Sequence, residues 1–164
     1  MTADPPRSRA HRRRDTEHRL AHDVDVWVAS ASADGAPYLV PLSFDWDGAA
    51  LLVATPAESP TGRNLAATRT VRLGLGSTRD VSTIEGDVEV LVIDTLPREQ
   101  GDRFVERTGF DPRALTTPYR WFRIAPRRIQ AWREENELPG RELMRDGRWL
   151  TESRGHAVPG EATE

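Results

Sequence analysis

The chain contains neither cysteine nor lysine, and its four histidines stand at positions 11, 18, 22 and 156. Without cysteine there is no disulfide framework, no thiolate metal ligand and no cysteine nucleophile, and the cytoplasm is the expected compartment. Without lysine, a Schiff-base mechanism and a P-loop phosphate site are both excluded. All 23 basic residues are arginine, so an anion must be held by guanidinium groups, hydroxyls and backbone amides. His11, His18 and His22 would share one helical face but have no defined carboxylate partner, and His156 sits near the other end. A metallohydrolase or a Ser-His-Asp hydrolase therefore has little to work with. Long apolar runs are missing too. Ala49 to Ala54 and Val88 to Ile93 are far too short to cross a bilayer, so no membrane span is expected. No G-x-G-x-x-G follows a strand pattern, which argues against a Rossmann nucleotide site.

What is present fits one domain: 164 residues with 37% apolar side chains and 12 glycines. The net charge of −3 gives no overall attraction to nucleic acid. Arg7, Arg9, Arg12, Arg13, Arg14 and Arg19 concentrate positive charge near the amino end, but Asp15, Glu17, Asp23 and Asp25 offset it and argue against a nucleic-acid partner. The expected organisation is a flexible Arg-rich arm over residues 1–22, a folded domain over 23–150 and a flexible tail over 151–164. A short helix over Thr16 to His22, docking Leu20 and Ala21, is expected within the arm.

The alternation of Val24, Val26 and Val28 with polar neighbours and Trp27 predicts a first strand to about Ser32. Asp34-Gly35 marks a hairpin into a second strand, Tyr38 to Trp46, and Asp47-Gly48 turns into a third, Ala49 to Thr55. Ser59-Pro60 has the form of a helix start, with a hydroxyl at the N-cap and proline at the first helical position, for a short helix to about Thr68. Val71 to Leu75 and Val81 to Ile93 read as strands four and five, with Gly86 as a break. Pro97 to Thr108 reads as a helix ending at Gly109, with Phe104 and Val105 as its core contacts. Tyr119 to Ile124 and Arg128 to Arg133 return to strand around an Ala125-Pro126-Arg127 turn or bulge. The fold class is thus mainly β: a six- to seven-stranded antiparallel barrel with a few helices.

Two segments carry candidate chemistry. Ser59 to Asn64 has the polar groups of a phosphate loop, and Val40-Pro41-Leu42-Ser43-Phe44 is a proline-interrupted strand offering an apolar wall with free backbone groups. Each also has a plain structural reading, as an ordinary capped helix and as a protected edge strand. Glu85, Asp87 and Glu89 share one strand face, expected to meet solvent. Arg79 and Asp80 are expected to form a surface ion pair or to border the cleft. The tryptophans read as core or interface material.

The order of these features, from the Asp34-Gly35 hairpin through Val40 to Phe44, Trp46-Asp47-Gly48, Thr55, the Ser59 to Leu65 loop and Gly86, resembles the pyridoxamine-5′-phosphate oxidase-like group of flavin-binding split barrels, over roughly Val24 to Trp132. The resemblance implies a homodimer that binds FMN, or in some branches the deazaflavin F-420, in clefts between subunits, and an oxidoreductase acting on an unidentified small molecule. A flavin carrier without turnover is the alternative. Carried over by position, Val40, Pro41, Leu42, Ser43 and Phe44 would supply backbone contacts to the ring, while Thr55, Ser59, Thr61, Arg63 and Asn64 would surround the phosphate. Trp132 or Trp121 would reach the partner subunit's flavin. The family often has Lys or Arg two residues after the loop serine, where this chain has Thr61. Charge neutralisation then falls on Arg63, with roughly 0.3–1 kcal/mol from the helix N-terminus. No catalytic residue or metal ligand is assigned.

Overall fold

The computed structural model describes residues 4–152. A helix, α1 (Arg9–His22), precedes β1 (Asp25–Ala31), β2 (Pro37–Trp46) and β3 (Leu51–Pro56), which follow one another as an antiparallel meander. The short helix α2 (Pro60–Thr68) leads to β4 (Thr70–Ser77) and β5 (Asp80–Val92), then to α3 (Arg98–Thr108) and to the long β6 (Tyr119–Trp132). Two short strands, β7 (Glu142–Arg145) and β8 (Arg148–Trp149), extend the sheet at its far edge. The strand order is β3-β2-β1-β4-β5-β6-β7-β8, and an additional β3–β6 pairing closes the first six strands into a barrel.

Alternation decides which side chains fill the barrel. Val26 and Val28 of β1, Phe44 of β2, Leu73 and Leu75 of β4, Ile84 and Val88 of β5 and Phe122, Ile124 and Ile129 of β6 all point inward and are buried. A second cluster lies outside the wall, where Leu52, Ala54 and Trp121 receive Phe104 of α3 and Leu96. Asp45 anchors that helix through Arg103 at 3.2 Å and Arg107 at 3.6 Å. Glu85, Asp87 and Glu89 pair across the sheet with Arg72, Arg127 and Arg123, consistent with an outward face. Among the described residues no helix is long and apolar enough to cross a membrane.

Four expectations change. The two late strands are one strand, because Pro126 is accommodated by a bulge where the β5 register shifts between Glu85 and Gly86. Gly86 is required there, since a Cβ would meet Ile124 Cγ2 at 2.5 Å. β7 and β8 carry no alternation signal and were not expected. Arg79 and Asp80 do not pair with each other: Arg79 meets Glu134, while Asp80 receives Arg7, Arg19 and Arg133.

The largest correction concerns the amino end. The arm is a 14-residue helix with Arg12, Thr16 and Leu20 buried, in place of a loose segment with a short helix after it. Arg7, just before the helix, grips Glu137 with its amide at 2.9 Å, its Nε at 2.9 Å and its Nη2 at 2.7 Å. Thr16 bonds to Ser82 at 2.7 Å, and Arg12 donates to the carbonyls of Ala131 and Glu137. Arg7, Arg9, Arg12 and Arg19 are therefore fasteners, matched by carboxylates and carbonyls far along the chain. The tail expected over 151–164 lies mostly outside the described residues.

Candidate functional site

β2 pairs with β1 from Pro37 to Ser43, but with β3 only from Phe44 to Trp46. Beyond Phe44 and Val53 the two strands part, and β3 continues against β6 instead. The barrel is thus split between β2 and β3, and one edge of β2 is open. The Phe44 amide donates to the Val24 carbonyl at 2.9 Å, so by antiparallel alternation Val40, Leu42 and Phe44 turn their backbone groups toward β1. Leu39, Pro41 and Ser43 turn theirs to the open edge. Pro41 lacks an N–H at a position where that N–H would have faced the opening, so the proline interrupts no ladder bond.

Continuing the β2–β3 register would set Leu42 opposite Thr55, and the Ser59 loop begins just beyond Thr55. α2 then packs back onto β1, β2, β3 and β5. The two candidate segments are thereby brought to one mouth of the barrel. Leu42 and Val40 are half-buried and Phe44 is fully buried on the inner side, while Pro41 is exposed on the outer side. On that outer face Pro41, Trp27, Asp25 and Gly74 line an open depression of about 500 Å³.

The loop holds itself together with the hydroxyls that were candidates for the phosphate. Ser59 is the N-cap: its Oγ accepts from the Gly62 amide at 3.0 Å and donates to the Pro56 carbonyl at 2.8 Å. Thr55 Oγ1 lies 3.2 Å from Ser59 Oγ and, with the serine proton committed to Pro56, is the donor of that pair. Asn64 donates to Ser30 Oγ at 3.1 Å, fastening α2 to β1. Thr61 is only 2% exposed. Gly62 is packed so closely that a Cβ would meet the Pro56 carbonyl oxygen at 2.3 Å and that of Ala57 at 2.9 Å, both backbone atoms. Of the six loop residues only Arg63 presents a cation outward, and its side chain makes no ion pair or hydrogen bond among the described residues.

Trp121 and Trp132 separate cleanly. Trp121 is fully buried, edge-on to Phe104 with ring centroids 5.0 Å apart, and donates to the Ile93 carbonyl at 3.2 Å. It is core. Trp132 is half-buried beneath Arg141, 5.7 Å from its ring. It lies at the opposite end of β6 from Arg120, the residue that pairs with Thr55, so one chain does not bring it to the loop.

A cavity of about 560 Å³ opens between β1, β4 and β5, next to the Ser30 to which Asn64 is bonded. Its rim arginines Arg72, Arg127 and Arg128 face Glu85 and Asp87 and are largely neutralised. Trp27 and Leu39 are exposed large apolar residues at 52% and 60%; each belongs to an ordinary strand alternation, and only the pairing register puts them on one face with Pro41.

A closed antiparallel barrel split beside a capped helix defines the class of architecture, and comparison with known proteins gives the family. The model of the pyridoxamine 5′-phosphate oxidase family matches residues 18–133, and the chain belongs to that family. No curated protein matches it in sequence. Among solved structures it is similar to a conserved hypothetical protein of Mycobacterium tuberculosis, with TM-score 0.61 and 20% identity over 83% of this chain and 91% of the other. A putative pyridoxamine 5′-phosphate oxidase of Listeria innocua gives 0.58 and 18% over 76% and 99%. An F420 reductase gives 0.55 and 19% over 69% and 94%. These likenesses establish the fold.

Proposed function

We propose that the chain is a flavin-dependent oxidoreductase that binds FMN at the split between β2 and β3. The single observation that carries this reading is the juxtaposition of the open β2 edge with the exposed, unpaired Arg63 at the start of α2. The donor set fits a phosphate held from one side, with Arg63 as its fork and the α2 N-terminus contributing its positive end. Thr55, Ser59 and Asn64 would act behind it, fixing the loop through the bonds they make within the protein. The carbonyls of Leu39, Pro41 and Ser43 and the amides of Leu39 and Ser43 would face the ring and orient it. FMN, when bound, supplies the hydride chemistry, and the protein supplies binding, orientation and exclusion of water.

The site is half-built in one subunit, and a homodimer would complete it. The exposed Trp27 and Leu39 beside Pro41 support a second copy over this face, and Trp132 would reach the partner subunit's flavin, since it is remote from its own loop. The absence of cysteine agrees with a cytoplasmic setting.

A deazaflavin is the second reading, favoured by Thr61 in place of a basic residue and by the F420 reductase among the structural relatives. The test is the visible spectrum of the purified protein, followed by titration with FMN and with the deazaflavin. Retained colour or micromolar binding of one of them is expected, and failure of both would refute the site. Turnover with a reduced nicotinamide would separate an enzyme from a carrier. Sedimentation at micromolar concentration should show a dimer.

A further inference from the structure

At the other end of β6 a second cavity, about 330 Å³, opens at the N-terminus of α1. That volume lies at the lower end of the ~300–1,000 Å³ typical of small-ligand pockets. Arg7, Arg9 and Arg12 line it together with Ser8, Asn136, Gly140 and one carboxylate, Glu152. Their partners are unequal. Arg7 is fully engaged by Glu137 and Asp15. Arg9 donates to the backbone carbonyls of Glu142 and Thr151, and Asn136 donates to that of Asp4.

Arg12 differs from these. It is 5% exposed, and both of its hydrogen bonds leave from Nη1, to the Ala131 and Glu137 carbonyls. Its Nε is buried with no hydrogen-bond partner among the described residues. The side edge of the guanidinium, the Nε and Nη2 pair that grips oxyanions in a two-pronged fashion, is thus unused. A buried cation with an unsatisfied donor is costly to maintain without an anion. In agreement, burial pushes the Arg12 guanidinium below its ordinary value despite Glu137 and Glu152 nearby.

The helix adds its own positive end. Ser8 caps the third amide, and Glu152 Oε1 accepts from the Ala10 amide at 2.7 Å. A carboxylate from the far end of the chain thus already sits at the mouth, where an oxyanion would bind.

We infer that this cavity is an oxyanion site, for phosphate or a phosphate monoester, which Glu152 partly covers and an incoming anion displaces. It is separate from the Arg63 loop and independent of the flavin reading.

The test is calorimetric titration of the full chain with inorganic phosphate and with glycerol phosphate at constant ionic strength. Removing the competing carboxylate in Glu152→Ala should tighten phosphate binding about two- to fivefold, the value of a charge at a helix N-terminus. Arg12→Lys keeps the charge but loses the fork, and should weaken it about tenfold. All of these are read in the Arg63→Ala background, where the α2 loop has lost its cation and the heat reports this cavity alone. Equal affinity for the two ligands identifies free oxyanion as the occupant, and tighter binding of the ester identifies a phosphorylated metabolite. Absence of binding in that background both with and without Glu152→Ala would overturn the site, as would binding that Glu152→Ala leaves unchanged. Should Arg12→Lys not fold, the surface substitution Glu152→Ala decides alone.

Discussion

Ser8 and Ser59 cap two helices by the same bond, a hydroxyl oxygen accepting the amide three residues on, yet the two helix starts are built for different surroundings. Around α1 the arginines are drawn into the protein and most meet carboxylates or carbonyls: Arg7 with Glu137, Asp15 and Asp80, and Arg19 with Asp80. Around the start of α2 the polar groups are engaged within the protein, and the cation there, Arg63, is left outside. The difference teaches that capping chemistry does not identify a ligand site. What identifies it is which charge remains uncompensated once the internal bonds are counted. By that measure α2 has Arg63 and α1 has one edge of Arg12.

Breaking the α1 side should have the largest effect. Glu137 is 3% exposed and accepts from Arg7 and from the Arg133 amide, so Glu137→Ala takes from the buried Arg7 all of its bonds but those to Asp15 and Asp80 and leaves the Arg133 amide unpaired. A loss of about 3–5 kcal/mol in denaturant unfolding is expected. The same carboxyl gives a pH signature. Hydrogen bonds from Arg7 hold Glu137 down to about 2 from its ordinary 4.5. A depressed carboxyl contributes stability that is complete above its unfolded value and is lost as pH falls through the folded one. Unfolding midpoints should therefore hold near pH 7, fall below about pH 4.5 and continue falling toward 2, with a shallower fall in Glu137→Gln.

On the α2 side, Gly62→Ala drives a methyl group into the Pro56 and Ala57 carbonyls. A loss of about 1–3 kcal/mol is expected, with weakened binding of phosphorylated flavin in titrations. Ser59→Ala should be milder, about 1 kcal/mol from the lost cap, visible in thermal melts. Near-equal effects of Glu137→Ala and Ser59→Ala would erase the contrast between the two ends.

The barrel was legible because Val24 to Val28, Val71 to Leu75 and Val81 to Ile93 alternate, and because Asp34-Gly35 and Asp47-Gly48 leave few options for the turns. The α2 start was legible from Ser59-Pro60. Hidden from sequence was everything that depends on distant partners. Arg7 and Glu137 are 130 residues apart, so an Arg-rich stretch with one clear apolar anchor at Leu20 read as a solvated arm. β7 and β8 are too short to show a period: β7 forms on the edge that β6 offers, and β8 on the edge of β7. The candidate site was half legible: residue types suggested a phosphate loop, but hydrogen-bond bookkeeping was needed to see that Thr55, Ser59 and Asn64 are engaged internally. Trp121 and Trp132 look alike in sequence and are separated only by the face and end of β6 on which each falls.

The claim that Arg63 binds the phosphate of a flavin is tested most directly by comparing FMN and riboflavin on wild type and on Arg63→Ala. The substitution should weaken FMN about tenfold, equivalent to ~1.4 kcal/mol, and leave riboflavin nearly unchanged. Equal losses for both ligands, or no loss for FMN, would contradict it.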